Sequence, residues 1–167
     1  MQMNNLNDVL VEQLGDLYSA ERQLVEALPK MAGAASTQEL RTAIEQHLDE
    51  TRGHVQRIEQ AFSQLGITPP AEECEAMKGL IKEGEKVIKT EGQPAAKDAA
   101  LIAAAQRVEH YEIAAYGTAR TLANELDQSE VASLMNDTLD EESAADEKLT
   151  AIATGGLLSG GVNAEAR

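Results

Sequence analysis

The sequence predicts an all-α fold, a four-helix bundle with a helical crossover between the second and third core helices. Aromatic residues make up only 2% of the 167 residues, and Trp is absent, which disfavours the β-sandwiches and barrels that draw on such side chains. Apolar residues recur at spacings of three, four and seven in long segments, as on the buried face of an amphipathic helix. The length fits one domain, which we assign to 1–154, with 155–167 as a flexible C-terminal tail.

The first helix is predicted from Asn5 to about Ala32. Its apolar face carries Leu6, Leu10, Leu14, Leu17, Leu24, Leu28 and Met31. Pro29 lies in the last turn, where its missing N–H group predicts a kink or the beginning of the helix end.

The second helix is predicted to begin at a capping box formed by Ser36 and Glu39 and to end at Gly66. Its apolar face carries Leu40, Ile44, Leu48, Val55, Ile58, Phe62 and Leu65. A turn with two prolines at 69–70 then leads into a shorter segment, 72–90, which we interpret as a helical crossover.

The third and fourth core helices follow the crossover. The third is predicted over 95–125, with Pro94 suited to its first turn, and the fourth begins after Ser129, a predicted N-cap. Their apolar faces carry Leu101, Val108, Ala115, Ala119 and Leu122 in the third helix and Val131, Leu134, Met135, Leu149 and Ile152 in the fourth. Four long helices with one extended connection are typical of a ferritin-like bundle rather than of a simple up-and-down one.

The net charge and the cysteine content exclude several functions. A net charge of -15 repels a phosphate backbone, so nucleic-acid binding is not expected. Cys74 is the single cysteine, which excludes an internal disulfide and thiolate metal motifs. The N-terminal residues lack the pattern of a signal peptide, and no stretch reaches the ~18 apolar residues of a membrane span. We therefore expect a cytoplasmic protein with neither nucleic-acid nor membrane partners.

Three glutamates lie on the apolar faces of three different helices. Glu21 falls seven residues after Leu14 and seven before Leu28, and Glu112 and Glu142 occupy corresponding positions in the third and fourth helices. A buried ionised carboxylate costs several kcal/mol unless it is paired, and these faces carry no Lys or Arg. Converging carboxylates must therefore be protonated, paired or bound to cations, and cations are the simplest compensation.

More acids and histidines lie close to these three positions. On the second helix Glu50 and His54 are four residues apart and can face one metal ion, whereas His47 is expected to support the ligands rather than to be one. The third helix carries Glu109 one turn before Glu112, and the fourth helix carries Asp146 one turn after Glu142. The candidate metal ligands are Glu21, Glu50, His54, Glu109, Glu112, Glu142 and Asp146.

This ligand set predicts two divalent metal ions. One Glu from each of two helices, with an acid and a His or Asp from each of the other two, is close to the carboxylate pattern of di-iron and di-manganese proteins, although those use Glu-x-x-His. Oxygen ligands with some imidazole suit Fe(II) or Mn(II), with iron as the first expectation. Five carboxylates and a neutral His, at about -5, nearly balance the +4 of two divalent ions.

Four blocks of the sequence resemble the YciE/YciF family of bacterial stress-response proteins. They are 16–24 (DLYSAERQL), 47–54 (HLDETRGH), 108–117 (VEHYEIAAYG) and 139–146 (LDEESAAD). That family looks like a branch of the ferritin-like superfamily, with a rubrerythrin-like core and a tendency to dimerise. The resemblance implies metal-binding roles for the seven candidates and a homodimer, while Asp146 stands where the rubrerythrin-like pattern has a His.

Two classes of function follow from the sequence. The first is a stress-related dinuclear metal protein that oxidises Fe(II) with peroxide or oxygen, as a ferroxidase or a peroxidase-like oxidoreductase. The alternative is a non-catalytic helical dimer that acts as a stress-induced interaction module. Iron storage in a cage ranks last because the sequence carries no assembly signal, and we assign no catalytic residue from the sequence.

Overall fold

A computed structural model describes residues 3–155 and 160–167, and these residues form helices and turns without a strand. The helices are α1 (Leu6–Ala34), α2 (Gln38–Leu65), α3 (Glu75–Lys89), α4 (Pro94–Glu125), α5 (Ser129–Thr154) and α6 (Gly161–Glu165). The predicted all-α bundle with four long helices is therefore confirmed. Within the same residues, no helix combines the length and the apolar character that crossing a membrane requires.

The four long helices form a closed ring in the order α1, α2, α5, α4. Connections of three residues make α1 with α2, and α4 with α5, antiparallel hairpins. The carboxylate of Asp98, near the start of α4, accepts hydrogen bonds from the backbone N–H groups of Ser36 (2.7 Å) and Thr37 (2.8 Å), just before α2. Because α2 and α4 begin at the same end of the bundle, these two helices run parallel.

The third helix, α3, carries the chain back along the outside of α1 and α4. At its start the backbone N–H of Cys74 donates to Ser19 Oγ at 2.8 Å, in the middle of α1. Further along, Lys30 Nζ lies 3.5 Å from Glu85 Oε1, near the end of α1. The predicted helical crossover is therefore confirmed, and it runs parallel to α1 towards the end where α4 begins.

Several predicted helix ends agree with the structure. The side chain of Asn5 caps α1 by accepting from the N–H of Asp8 at 3.0 Å. The left-handed backbone of Gly66, with φ of 68°, ends α2, because an L side chain there would be strained. Pro94 occupies the first turn of α4.

The helix α1 continues past Pro29 to Ala34, close to the predicted end at about Ala32, because the packed apolar face outweighs one missing hydrogen bond. Two predictions about helix ends were wrong. The capping box does not form, since Thr37 is the N-cap of α2 without a side-chain bond, and the backbone N–H of Thr37 donates to Asp98 rather than to Glu39. Ser129 is the first residue of α5, after the N-cap Gln128.

The predicted C-terminal tail contains the short helix α6. Its Val162 is buried and joins the apolar cluster of the bundle, in contact with the α4 and α5 helices. Val162 is the one large apolar residue of the stretch 160–167, which gives too weak a periodicity for a helix to be predicted. The tail residues 156–159 lie outside the described residues, and the domain boundary at 154 stays a prediction.

We predict that Asp98→Ala lowers the free energy of unfolding by about 1–2 kcal/mol, because two N–H groups before α2 lose their acceptor. Urea unfolding followed by circular dichroism measures the change. The matched control is Glu39→Ala, in the first turn of α2 and exposed, which should cost no more than about 0.5 kcal/mol. Equal losses in the two variants would contradict the cap assigned to Asp98.

Candidate metal centre

A layer of polar side chains crosses the middle of the bundle between two apolar clusters. The upper apolar cluster, on the side of α3, includes Leu24, Leu28, Leu40, Ile44, Leu101, Leu149 and Ile152. The lower apolar cluster includes Leu10, Leu14, Leu17, Ile58, Phe62, Ala119 and Met135. The polar layer consists of the buried residues Glu21, His47, Thr51, His54, Glu109, Glu112, Thr138 and Glu142. All four long helices contribute to it, so the predicted meeting of acids at one level is observed.

Glu21, His54 and Glu142 form the first group of the layer. His54 Nδ1 lies 3.4 Å from Glu21 Oε1 and 3.0 Å from Glu142 Oε1, and all three side chains are fully buried. The hydroxyl of Tyr116, on α4, donates a hydrogen bond to Glu21 Oε1. The three potential ligand atoms lie within 4.8 Å of one another, which is close enough for one metal ion to contact all three.

His47, Glu109, Glu112 and Glu142 form the second group, and their potential ligand atoms also lie within 4.8 Å of one another. His47 Nε2 is 3.5 Å from Glu109 Oε1 and 3.8 Å from Glu142 Oε2. Glu142 belongs to both groups and offers a different oxygen to the histidine of each. The two groups are therefore adjacent sites that share one carboxylate.

Hydrogen bonding within the described residues leaves most of this layer unsatisfied. Both carboxylate oxygens of Glu112 and of Glu142 lack a partner, as do both ring nitrogens of His47. One carboxylate oxygen of Glu21 and one of Glu109 also lack a hydrogen-bond partner. Buried polar atoms are normally hydrogen-bonded, and an unpartnered carboxylate costs more than a neutral group. This number of carboxylate oxygens and ring nitrogens without a partner, all in one place, is typical of a site that binds an additional group.

The electrostatics of the layer favour cations. Burial raises the pKa of Glu21, Glu109 and Glu112, and repulsion among the neighbouring carboxylates adds to the effect. Burial alone would lower the pKa of His47, but the carboxylates around it raise its pKa to about 9. In the same way, the carboxylates of Glu142 and Glu21, which lie close to its Nδ1, overcome the effect of burial and raise the pKa of His54 to about 11. Without metal, shared protons must supply the positive charge.

An ion pair at the edge of the layer fixes the orientation of His54. Its Nε2 lies 2.8 Å from Glu141 Oε2, on the side of the ring away from the cluster. Arg57 holds both oxygens of Glu141 at 2.6 and 2.7 Å, and this hydrogen bonding lowers the pKa of Glu141. Arg57 also donates to Thr138 Oγ1 at 3.2 Å. His54 can thus donate from Nε2 to Glu141 and keep Nδ1 as an acceptor towards the cluster.

The structure brings five of the seven predicted ligands into the layer and leaves two outside it. Those inside are Glu21, His54, Glu109, Glu112 and Glu142. The side chain of Glu50 is 48% exposed and lies 3.6 Å from His47 Nδ1, because Glu50 is turned about 100° from the buried Thr51. Asp146 accepts from Gln106 Nε2 at 3.0 Å and lies 3.5 Å from the exposed His110. Neither Glu50 nor Asp146 belongs to the two groups described above.

Sequence reasoning underrated His47 and missed the pair of Arg57 and Glu141. His47 and His54 are seven residues apart, with Thr51 between them, so the heptad spacing that located Glu21 also applied to them. Arg57 lies one turn after His54 on the same helix, which is a usable signal for a basic neighbour. The partner acid is on another helix, and helix periodicity alone cannot predict that contact.

The fold and the layer together define an all-α bundle with a buried carboxylate–histidine cluster that is able to hold metal ions. The chain belongs to the DUF892 family, because the model of that family, described as a domain of unknown function, matches residues 5–166. It is 47% identical over 154 residues to Protein YciF of Escherichia coli. The aligned region covers 92% of this chain and 93% of the relative.

Solved structures agree with this assignment. The crystal structure of the Escherichia coli stress protein YciF superposes with a TM-score of 0.88, covering 90% of this chain and 96% of that one. The structure of YcfI from Rhodopseudomonas palustris, which is 39% identical, also superposes with a TM-score of 0.88. The match covers 91% of this chain and 97% of that one. The structure of a protein from Xanthomonas campestris superposes with a TM-score of 0.70 at 23% identity and covers 87% of this chain and 89% of that one. At this identity it supports the fold alone.

We predict that the metal-free protein loses stability as the pH rises from 6.5 to 9. Protonated His47 stabilises the fold fully below its ordinary pKa of 6.5, and this contribution disappears as the pH passes its folded-state pKa of about 9. The expected loss is about 1–3 kcal/mol, measured by urea unfolding in a chelator. His47→Gln should reduce this slope, whereas His110→Gln, at an exposed position, should keep it. A stability that increases over this range would refute the electrostatic description.

Proposed function

We propose that this chain is a dinuclear metal protein of the ferritin-like class, with two divalent ions, iron first and manganese second, in the polar layer. The observation that carries the proposal is the shared Glu142, which joins two adjacent groups of buried ligand atoms. The four carboxylates of Glu21, Glu109, Glu112 and Glu142 carry -4 when ionised, which two divalent ions neutralise. The ring of four helices with a crossover between α2 and α4 supports the same class.

The residues divide naturally between the two ions. Glu21 and His54 Nδ1 would hold one, and His47, Glu109 and Glu112 the other, with the Glu142 carboxylate between them. This donor set fits the group, because oxygen ligands with one imidazole per ion suit Fe(II) or Mn(II) better than copper or a thiolate-bound zinc. The carboxylate oxygens that lack a hydrogen-bond partner would then all have a cation to bind.

The reaction we propose is the oxidation of Fe(II), which enters the layer as a substrate. Two ferrous ions give two electrons to one hydrogen peroxide, which with two protons becomes two waters. The chain's own groups hold the reactants on rigid helices, and the apolar clusters above and below the layer limit the access of water. The phenol of Tyr116 donates to Glu21 and so fixes one carboxylate oxygen. Since the relative from Escherichia coli is called a stress protein, a role in oxidative stress is consistent with this chemistry.

Metal content is the direct test of this proposal. The wild-type protein, loaded anaerobically with Fe(II) and freed from excess metal by gel filtration, should retain about two ions per chain. Glu142→Gln should remove both ions because its carboxylate serves both groups, and Glu112→Gln should weaken one of them by at least about 10-fold. Inductively coupled plasma spectrometry measures occupancy, and stopped-flow absorbance follows the oxidation by peroxide.

The matched control is Asp146→Asn, at a predicted ligand that lies outside the layer and accepts a hydrogen bond from Gln106. This variant should bind metal like the wild type. Wild-type protein with less than about one ion per chain and no uptake of Fe(II) would refute the dinuclear proposal. That result would favour the non-catalytic interaction module, in which protons and imidazolium groups neutralise the acids.

The ion pair of Arg57 and Glu141 gives a second prediction. Glu141→Ala should lower metal affinity by about 10- to 100-fold without removing a ligand, because His54 loses the acceptor that orients its ring. Competition with a chelator measures the affinity. Asp140→Ala, at the neighbouring exposed position, is the control and should bind metal as tightly as the wild type. Unchanged affinity in Glu141→Ala would contradict the orienting role.

A further inference from the structure

A cavity of about 280 Å³ opens beside the polar layer, between α2 and α5. Its inner end is formed by His47 and Glu109, two residues of the second ligand group. Its outer part is lined by the exposed side chains of Gln46, Glu50 and Lys148, and the Lys148 ammonium donates to Gln46 across the opening. The cavity therefore connects the surface with the side of the layer where His47 lies.

The walls of this cavity are mostly apolar. Leu28, Met31, Ile44 and Leu149 come from three helices of the upper apolar cluster, and alanines of α2, α4 and α5 widen the space between them. The polar groups are those of the inner end and the opening, together with the carboxylate of Glu141. This arrangement, an apolar chamber with a few polar groups at one end, is typical of a site for a small organic ligand.

The size of the cavity is informative about the ligand. One water molecule occupies roughly 30 Å³ in the liquid, so the cavity has the volume of roughly nine waters. Hydrogen peroxide or oxygen needs only a small fraction of this space, and hydrogen peroxide, which is polar, gains nothing from apolar walls. An organic molecule of about ten non-hydrogen atoms fits, with its apolar body against Leu28, Ile44 and Leu149 and its polar end towards His47.

We infer that this cavity binds small organic hydroperoxides, and that these are the preferred oxidant of the polar layer. The inference deepens the proposed function and depends on it for the reaction, although not for the binding. One hydroperoxide, ROOH, takes two electrons from two ferrous ions and two protons from the solvent. Its O–O bond breaks, ROH and water leave, and both iron ions become ferric. The apolar walls select the R group, and the polar inner end receives the oxygen atoms.

The first experiment measures binding without metal, on the full-length protein in a chelator. The probe is 2-phenyl-2-propanol, the unreactive alcohol that cumene hydroperoxide would give. Titration followed by ¹H–¹⁵N NMR should show saturable shifts at Ala43 and Ala145, which line the cavity. Ala145→Phe places a ring in this space and should weaken binding at least 10-fold. Ala151→Phe, also on α5 but exposed and away from the cavity, should bind within 2-fold of the wild type.

The second experiment compares oxidants on the Fe(II)-loaded protein. The second-order rate constant for oxidation of the bound iron should be at least 10-fold higher with cumene hydroperoxide than with hydrogen peroxide in the wild type. Ala145→Phe should remove this preference, whereas Ala151→Phe should keep both rate constants within 2-fold of the wild type. Circular dichroism checks that both phenylalanine variants are folded. If Ala145→Phe is unfolded, the same measurements are made on the smaller substitution Ala145→Leu.

The outcomes separate the two proposals. A protein that binds the alcohol in this cavity but takes up no metal refutes the proposed reaction and supports the cavity as an organic ligand site. Absence of saturable alcohol binding, or equal binding by the wild type and Ala145→Phe, overturns the inference even if Fe(II) is oxidised. A preference for hydrogen peroxide that Ala145→Phe does not change also overturns it.

Discussion

The burial of several carboxylates at one level of the bundle is the constraint on which the rest of the structure depends. Four glutamates and two histidines meet in the interior, where their side chains are almost completely buried, and Lys and Arg are absent from the layer among the described residues. Such a cluster is unfavourable unless positive charge enters it. In the metal-free protein the imidazoles take up protons for this purpose, and in the proposed metal-bound form the ions replace them.

The apolar clusters on either side make the unfavourable layer tolerable. Each cluster contains side chains from all four long helices, so the helices are held together above and below the charged groups. The carboxylates are thereby fixed on rigid elements and cannot separate to reach water. The crossover helix α3 covers the bundle beside α1 and α4, while the gap between α2 and α5 leaves an apolar route towards His47.

The sequence was sufficient to predict the fold and part of the candidate site, because both predictions depend on spacings within single helices. Heptad spacing placed Glu21, Glu112 and Glu142 on buried faces, since a helix repeats its direction at that interval. Glu50 and Asp146 were proposed from spacings of four and from the family resemblance, and a spacing of four says that two residues share a face but not that both reach the middle.

Contacts between helices were beyond the sequence. Arg57 with Glu141, and Asp98 with the residues before α2, each join segments more than sixty residues apart. Periodicity along one helix defines which face is buried, whereas the partner of a polar group depends on how the faces are rotated and shifted against each other.

The hairpin of α1 with α2 and the hairpin of α4 with α5 each form from neighbouring segments of the chain, whereas the charged layer exists only after they dock. The acids of each hairpin remain in contact with water while that hairpin forms, since local contacts form before distant ones. The cost of desolvating the acids falls on the late association of the two hairpins. Cations that occupy the layer would consequently act as a clamp between two half-molecules, and would slow unfolding more than they accelerate helix formation.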